Sequence, residues 1–310
     1  MLSTSPVPDR TASPLGQSSA SRRIQTDRLA NAGAFAEAFD LELVQLRTSL
    51  DRYGEDDERT MDSLDNLSSL SFKLGRREEA DRLLDRVIIL RTKTQGEAHP
   101  DTLGALASKV ASLQMAGHID QAEQMGSDLL VKCTNSLGVE DAATLRVMAN
   151  LATIYRTKGD LSNAEILSHV VLETRQKVLP PDDVDTVTAM VNLAGVYFSQ
   201  HRWADAAALL QSVLTIRRRI FGDAHDMTIK IMKLLDKAYE ELERWNDLLR
   251  LRQLRLDVTK RKLGEGHMGT VEAKMNLMHA YERLQAWESA REIVDGVINS
   301  LENMIPADHP

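Results

Sequence analysis

The sequence predicts an all-α solenoid of tandem helical hairpins, and three observations carry that prediction. Thr60, Thr102, Thr144, Thr186, Thr228 and Thr270 follow one another at an interval of 42 residues without a slip. Self-similarity at a fixed period of tens of residues marks stacked units, none of which buries its apolar face alone. Within a unit, Met148, Leu151, Ala152 and Tyr155, then Leu161, Ala164, Leu167, Val171 and Leu172, recur at the spacing of two amphipathic helices. Between them stands Gly159, repeated at Gly75 and Gly117, where a left-handed residue ends a helix without a Cβ clash.

The elements follow in order. Residues 1–21 are rich in Ser, Thr and Pro and lack the apolar core of a secretory signal, so a disordered tail is expected. Its arginines resemble those of a transit peptide, but Pro6, Pro8 and Pro14 oppose the amphipathic helix such a peptide needs. Residues 22–55, with Ala38, Leu41, Leu46 and Gly54, read as a degenerate helical hairpin, and 56–310 as six repeats. Counting from the threonine as zero, position 20 is Ala80, Ala122, Ala164, Ala206 and Ala290, a small residue where paired helices approach closely. Leu248 breaks that series, so the fifth hairpin is expected to be splayed or repacked, since enlarging such an alanine costs about 1–3 kcal/mol. Tyr155, Tyr197, Tyr239 and Tyr281 at position 11, and Trp203, Trp245 and Trp287 at position 17, are expected between repeats. At the connector, Gly96, Gly138, Gly222 and Gly264 precede His99, His225, His267 and His309. His99-Pro100-Asp101 places proline and an acid in the first turn of a helix.

Bulk composition narrows the function. Of 310 residues, 43% are hydrophobic and 27% charged, and no apolar run approaches the ~18 residues that span a bilayer. A formal charge of −8 disfavours general nucleic-acid binding, which depends on clustered Lys and Arg. Cys133 stands alone, which excludes an internal disulfide and fits a reducing compartment. A soluble cytoplasmic protein without metal or cofactor is expected.

Asn150-Leu151-Ala152 with Tyr155, Asn192-Leu193-Ala194 with Tyr197, and the Gly-x-x-His-Pro-Asp-Thr run from Gly96 to Thr102 resemble the 42-residue tetratricopeptide repeats of kinesin light chains. The resemblance covers about residues 56–310 and implies a right-handed α-solenoid whose concave groove, lined by the first helix of each hairpin, binds protein partners. It does not extend to a heptad coiled coil before the repeats, so attachment to a motor is not expected. No GxxxxGK[ST] loop occurs, and no NTPase activity is expected.

With positions 4, 7, 8 and 11 turned to the core, positions 2, 5, 9 and 12 form a groove-facing stripe. In the fifth repeat it reads Lys230, Lys233, Lys237 and Glu240, and with Arg146 it suits an acidic peptide; an ordinary solvated face is the alternative. Phe72, Met115, Phe198 and Met275 are candidate receivers of apolar side chains, or are packed against neighbouring helices. Asn66, Asn150, Asn192 and Asn276 at position 6 resemble the groove asparagines of the family, which pair with a peptide backbone; bonding between helices is the competing role.

From Arg217 to Lys262, 13 basic residues stand against 8 acidic ones, a net +5. Arg217-Arg218-Arg219 and Lys260-Arg261-Lys262 end second helices, where cations favour the negative pole, and this outweighs a nuclear-import reading. Gly264-x-Gly266-x-x-Gly269 matches a dinucleotide fingerprint but follows a basic helix rather than a strand. No nucleophile–base constellation survives the periodicity, Cys133 included, so an interaction scaffold rather than an enzyme is expected. Its partner would be a protein or linear peptide. The alternative is an assembly subunit: His309-Pro310 restarts the connector, which would leave the last hairpin open to self-association.

Overall fold

The repeat reappears as a run of helices over residues 19–302, which the computed structural model describes. They are α1 (Ser19–Asn31), α2 (Phe35–Tyr53), α3 (Glu58–Lys73), α4 (Arg77–Gln95), α5 (Pro100–Met115), α6 (Ile119–Leu137), α7 (Ala142–Lys158), α8 (Leu161–Val178), α9 (Val184–Ser199), α10 (Trp203–Phe221), α11 (Asp226–Glu241), α12 (Trp245–Leu263), α13 (Met268–Arg283) and α14 (Trp287–Glu302). No strand occurs among the described residues. The chain divides into two compact units, Met1–Ile154 and Tyr155–Pro310, with the division inside α7. In the first unit α1 to α6 pack each on the next, and in the second α8 to α14 do the same. Helix α1 begins inside the segment assigned to the tail; the rest of that segment, and the connector at His309, lie outside the described residues.

The threonine ladder has a physical cause. All six threonines are buried, and the hydroxyls of Thr60, Thr144 and Thr270 donate to the carbonyls of Gly54, Gly138 and Gly264 at 2.7, 2.7 and 2.6 Å. A β-branched side chain of this size fills the start of the hairpin while its hydroxyl fixes the connector. The same hydroxyl in Thr102, Thr186 and Thr228 has no hydrogen-bond partner among the described residues.

Each connector also caps the helix that follows, in a way the sequence pattern hid. Asp57, Asp141 and Asp183 accept from the backbone N–H two residues on, and His99, His225 and His267 do so through Nδ1 at 3.3, 3.2 and 3.0 Å. Gly264 ends α12 and His267 caps α13, so the Gly264–Gly269 run is a connector and not a nucleotide loop.

The hairpin turn departs from glycine at His201, Glu243 and Gln285, which hold φ of 58°, 53° and 58°. An L-residue there carries a steric cost of about 1–2 kcal/mol that glycine avoids. Replacing each with glycine is therefore expected to stabilise the chain, by up to about 1 kcal/mol once the freer unfolded glycine is counted. Chemical denaturation of the single variants checks this.

Leu67, Leu103, Leu151, Ile154, Leu193 and Leu210 are among the largest side chains wholly withdrawn from water, each contributing about 1.5–3 kcal/mol. Position 20 is buried in each hairpin from Ala80 to Ala290. Leu248 is also fully buried, because the fifth hairpin has rebuilt its core. Where the fourth hairpin places Ala194, Leu210 and Val213, the fifth places Asp236, Arg252 and Arg255. Arg252 donates to both Asp236 oxygens, the shortest contact 2.7 Å, and Arg255 adds one at 2.9 Å. Arg252 also bonds the Asn276 carbonyl at 2.8 Å, tying α12 to α13. The fifth hairpin is thus repacked around a buried carboxylate held by two guanidinium groups.

Candidate functional site

In the first unit, four of the residues singled out in the sequence meet around one cleft of about 260 Å³. Helices α3, α5 and α7 bring Phe72, Met115, Arg146 and Asn150 to its walls, and α4 closes it with Ala80, Asp81 and Leu84. Ala107 and Ala111 keep the floor shallow. Met115 is 51% exposed although it is apolar, and Phe72 is half-buried. Small residues at the floor and large flexible ones at the rim make a depression that an apolar side chain can enter.

The polar rim is divided by charge. Arg146 is exposed and makes no ion pair among the described residues, while Lys73 lies 5.2 Å from the centre of the Phe35 ring. Arg146 acts on Asp65, whose carboxyl is raised by burial against the opposing pull of Arg91 and Arg146. Asp81 is occupied: the Ser112 hydroxyl donates to it, and Lys109 lies 3.8 Å away. The Ser68 hydroxyl donates to the Ala80 carbonyl at 2.8 Å, and the Asn150 amide to the Ala107 carbonyl at 2.8 Å. One of the two Asn150 N–H groups is therefore spent between α5 and α7. Asn66 likewise turns to a neighbour, the buried carboxyl of Glu42.

The remaining candidates lie in the second unit. Lys230, Lys233 and Lys237 are exposed on α11. Lys237 sits 5.8 Å from the centre of the Trp203 ring, and Phe198 meets the same ring edge-on at 5.3 Å, so Phe198 is packed against α10 rather than open. Asn192 and Asn276 are half-buried, and Met275 is 53% exposed. The basic clusters are largely neutralised: Arg218 pairs with Asp223, Arg219 with Asp182, Lys260 with Glu265 and Lys262 with Asp226. Cys133 is buried, and burial pushes its thiol up to about 11, so it stays protonated at neutral pH.

Tyr197, Tyr239 and Tyr281 join successive hairpins. Their hydroxyls meet His169, Gln211 and Gln253, each 28 residues earlier, at 2.9, 2.5 and 3.0 Å. Arg202 and Arg244 cover the Tyr197 and Tyr239 rings at 4.2 and 4.9 Å. Trp287 departs from its series and is 64% exposed.

The model of the tetratricopeptide repeat family matches residues 60–101, 144–185 and 186–226. The chain carries tetratricopeptide repeats. These three matches are the first, third and fourth units of the threonine ladder, and the fifth unit, with its buried charges, lies outside them. Among solved structures, the tetratricopeptide array is similar to the apo form of RapI, at 12% identity over 94% of this chain and 77% of that one, with a TM-score of 0.62. It is also similar to the apo quorum sensor NprR of B. thuringiensis, at 14% identity over 93% of this chain and 77% of that one, TM-score 0.61. BtubC (BKLC) of P. vanneervenii matches at 16% identity over 89% and 94%, TM-score 0.50. At such identities the likeness is one of fold. No curated protein matches the sequence. No described helix is long and apolar enough to cross a membrane.

Proposed function

We propose that this tetratricopeptide array is a non-catalytic interaction scaffold that holds an extended, acidic segment of another protein. The observation that carries the reading is the cleft of the first unit, where an apolar floor under Phe72 and Met115 adjoins the unpaired Arg146. Magnitudes assign the parts. An exposed ion pair contributes about 0.2–1 kcal/mol, whereas micromolar binding needs about 8 kcal/mol. The apolar side chain entering the cleft therefore supplies most of the affinity, and Arg146 and Lys73 select carboxylates beside it. In the second unit the exposed Lys230 and Lys233 favour the same sign of partner.

Selection of peptides displayed on phage against the whole chain tests this. Enriched sequences should carry a large apolar residue flanked by Asp or Glu. Met115→Ala and Arg146→Glu, both at exposed positions, should each weaken binding of a selected peptide roughly tenfold, about 1.4 kcal/mol, with melting unchanged. Lys230→Glu with Lys233→Glu should weaken capture of acidic peptides by the chain, also with melting unchanged. Enrichment of basic peptides, or loss of binding only in variants that also lose the fold, contradicts the reading.

A further inference from the structure

In the first, third and fourth repeats, position 31 is a buried arginine, Arg91, Arg175 and Arg217, at the end of the hairpin. Arg91 is buried and donates to Asp62 at 3.1 Å, to Asp65 at 3.2 Å and to the Asp101 carbonyl at 3.1 Å. Arg175 donates to the equivalent carbonyl, that of Asp185, at 2.8 Å. In the fifth repeat position 31 is Thr259, and the space is open as a cavity of about 250 Å³. Its walls include Lys233 and Gly269, the counterparts of Asp65 and Asp101, so this is the vacated arginine socket.

The charges around it are reversed. Asp62 and Asp65, which hold Arg91, correspond to Lys230 and Lys233, and the buried Arg255 replaces Val87 in the wall. The Thr259 hydroxyl is turned away, donating to the Arg255 carbonyl at 2.8 Å. Lys262 is committed to Asp226 at 2.6 Å, and Arg255 to Asp236 at 2.9 Å. Lys233 makes no ion pair among the described residues. Glu272 is the acid on the wall without such a commitment, and it is exposed. A socket shaped for a charged side chain, with lysines where the acids were, calls for a side chain of the opposite sign.

We propose that the cavity at Thr259 is an anion socket that receives a glutamate or aspartate side chain of an acidic partner segment, with Lys233 as its direct partner and Arg255 in its wall. This rests on the acidic partner proposed above, and the socket belongs to the second unit alone, apart from the Met115 cleft. A carboxylate entering a half-enclosed site beside an ammonium gains a charge-assisted hydrogen bond, stronger than the same pair in open water.

The test is fluorescence anisotropy of a fluorescein-labelled oligoglutamate peptide with the whole chain at low ionic strength, where exposed charges are little screened. Thr259→Met fills the socket without changing charge, and it should weaken binding roughly tenfold while the melting temperature holds or rises. Lys233→Gln should weaken it similarly, Thr259→Ser should bind as wild type, and Glu272→Gln should bind more tightly. Oligoglutamate has no apolar anchor, so Met115→Ala should leave its binding unchanged. Oligoglutamate binding that Thr259→Met leaves intact overturns the socket but not the scaffold reading. If wild type does not bind oligoglutamate at all, the socket is overturned; failure of the phage-selected peptides is the separate result that removes the scaffold reading.

Discussion

Asp236→Ala should cost about 3–5 kcal/mol of unfolding free energy, the largest effect expected of any single substitution in this chain. The carboxylate is buried and takes hydrogen bonds from both Arg252 and Arg255, themselves buried. Removing it leaves two guanidinium groups facing each other away from water, with Glu240 at 3.5 Å from Arg252 as the remaining acid. The cost is the desolvation of charges no longer compensated, rather than the worth of the ion pair. A triple variant separates the two. Asp236→Ala combined with Arg252→Leu and Arg255→Val restores the residue types of the fourth hairpin, Ala194, Leu210 and Val213, and should be at least as stable as the native chain. Urea denaturation of both variants checks the pair of outcomes. A triple variant as unstable as the single one would mean that the charges hold the hairpin in a geometry an apolar core cannot adopt.

Glu42→Gln should stabilise the first unit at neutral pH by about 1 kcal/mol, because a neutral amide is less costly to bury than a charged carboxylate. Glu42 is completely withdrawn from solvent on α2. Thr26, Ser63 and Asn66 surround it and Arg23 lies on the favourable side, yet burial outweighs them and raises its pKa. The sign of the pH dependence follows. A carboxyl whose folded pKa is raised binds its proton more tightly in the folded state, so it does not oppose folding at low pH, where it is neutral in both states. The folded state then loses stability as pH climbs from the unfolded pKa through the raised folded one. The gap between Glu42→Gln and the native chain should therefore be widest at neutral pH and close below roughly pH 4. Thermal melts across that range measure it, and a gap independent of pH would show that the carboxyl is not the cause.

The period, the hairpin and the small residue at position 20 were legible because they are local and repeated. A threonine can be counted, and an alanine where helices cross is the same constraint in each hairpin. Leu248 pointed to an altered fifth hairpin, but its content was hidden. Asp236, Arg252 and Arg255 are ordinary surface residues in a hydrophobicity pattern, and only the fold shows them facing one another in a core. Glu42 was hidden in the same way. The cleft was half legible: Phe72, Met115, Arg146 and Asn150 were each found from position alone, but their meeting on one surface depends on how three hairpins stack. The asparagine ladder shows the limit of position. Asn150 stands where the family resemblance would have it pair with a peptide, and position alone did not show that one N–H of its amide bonds Ala107. The threonine socket was visible only when the Arg91 and Arg175 contacts gave position 31 a structural meaning.

If a partner segment binds in the cleft of the first unit, the backbone around that cleft must be protected when it does. Hydrogen exchange of the chain with and without a selected apolar–acidic peptide, read by mass spectrometry, reports this segment by segment. Exchange should slow in the parts of α3, α5 and α7 that carry Phe72, Met115 and Arg146. Protection confined to the outer faces of α4 and α6, with those three segments unchanged, would put the partner elsewhere and remove the cleft as its binding site.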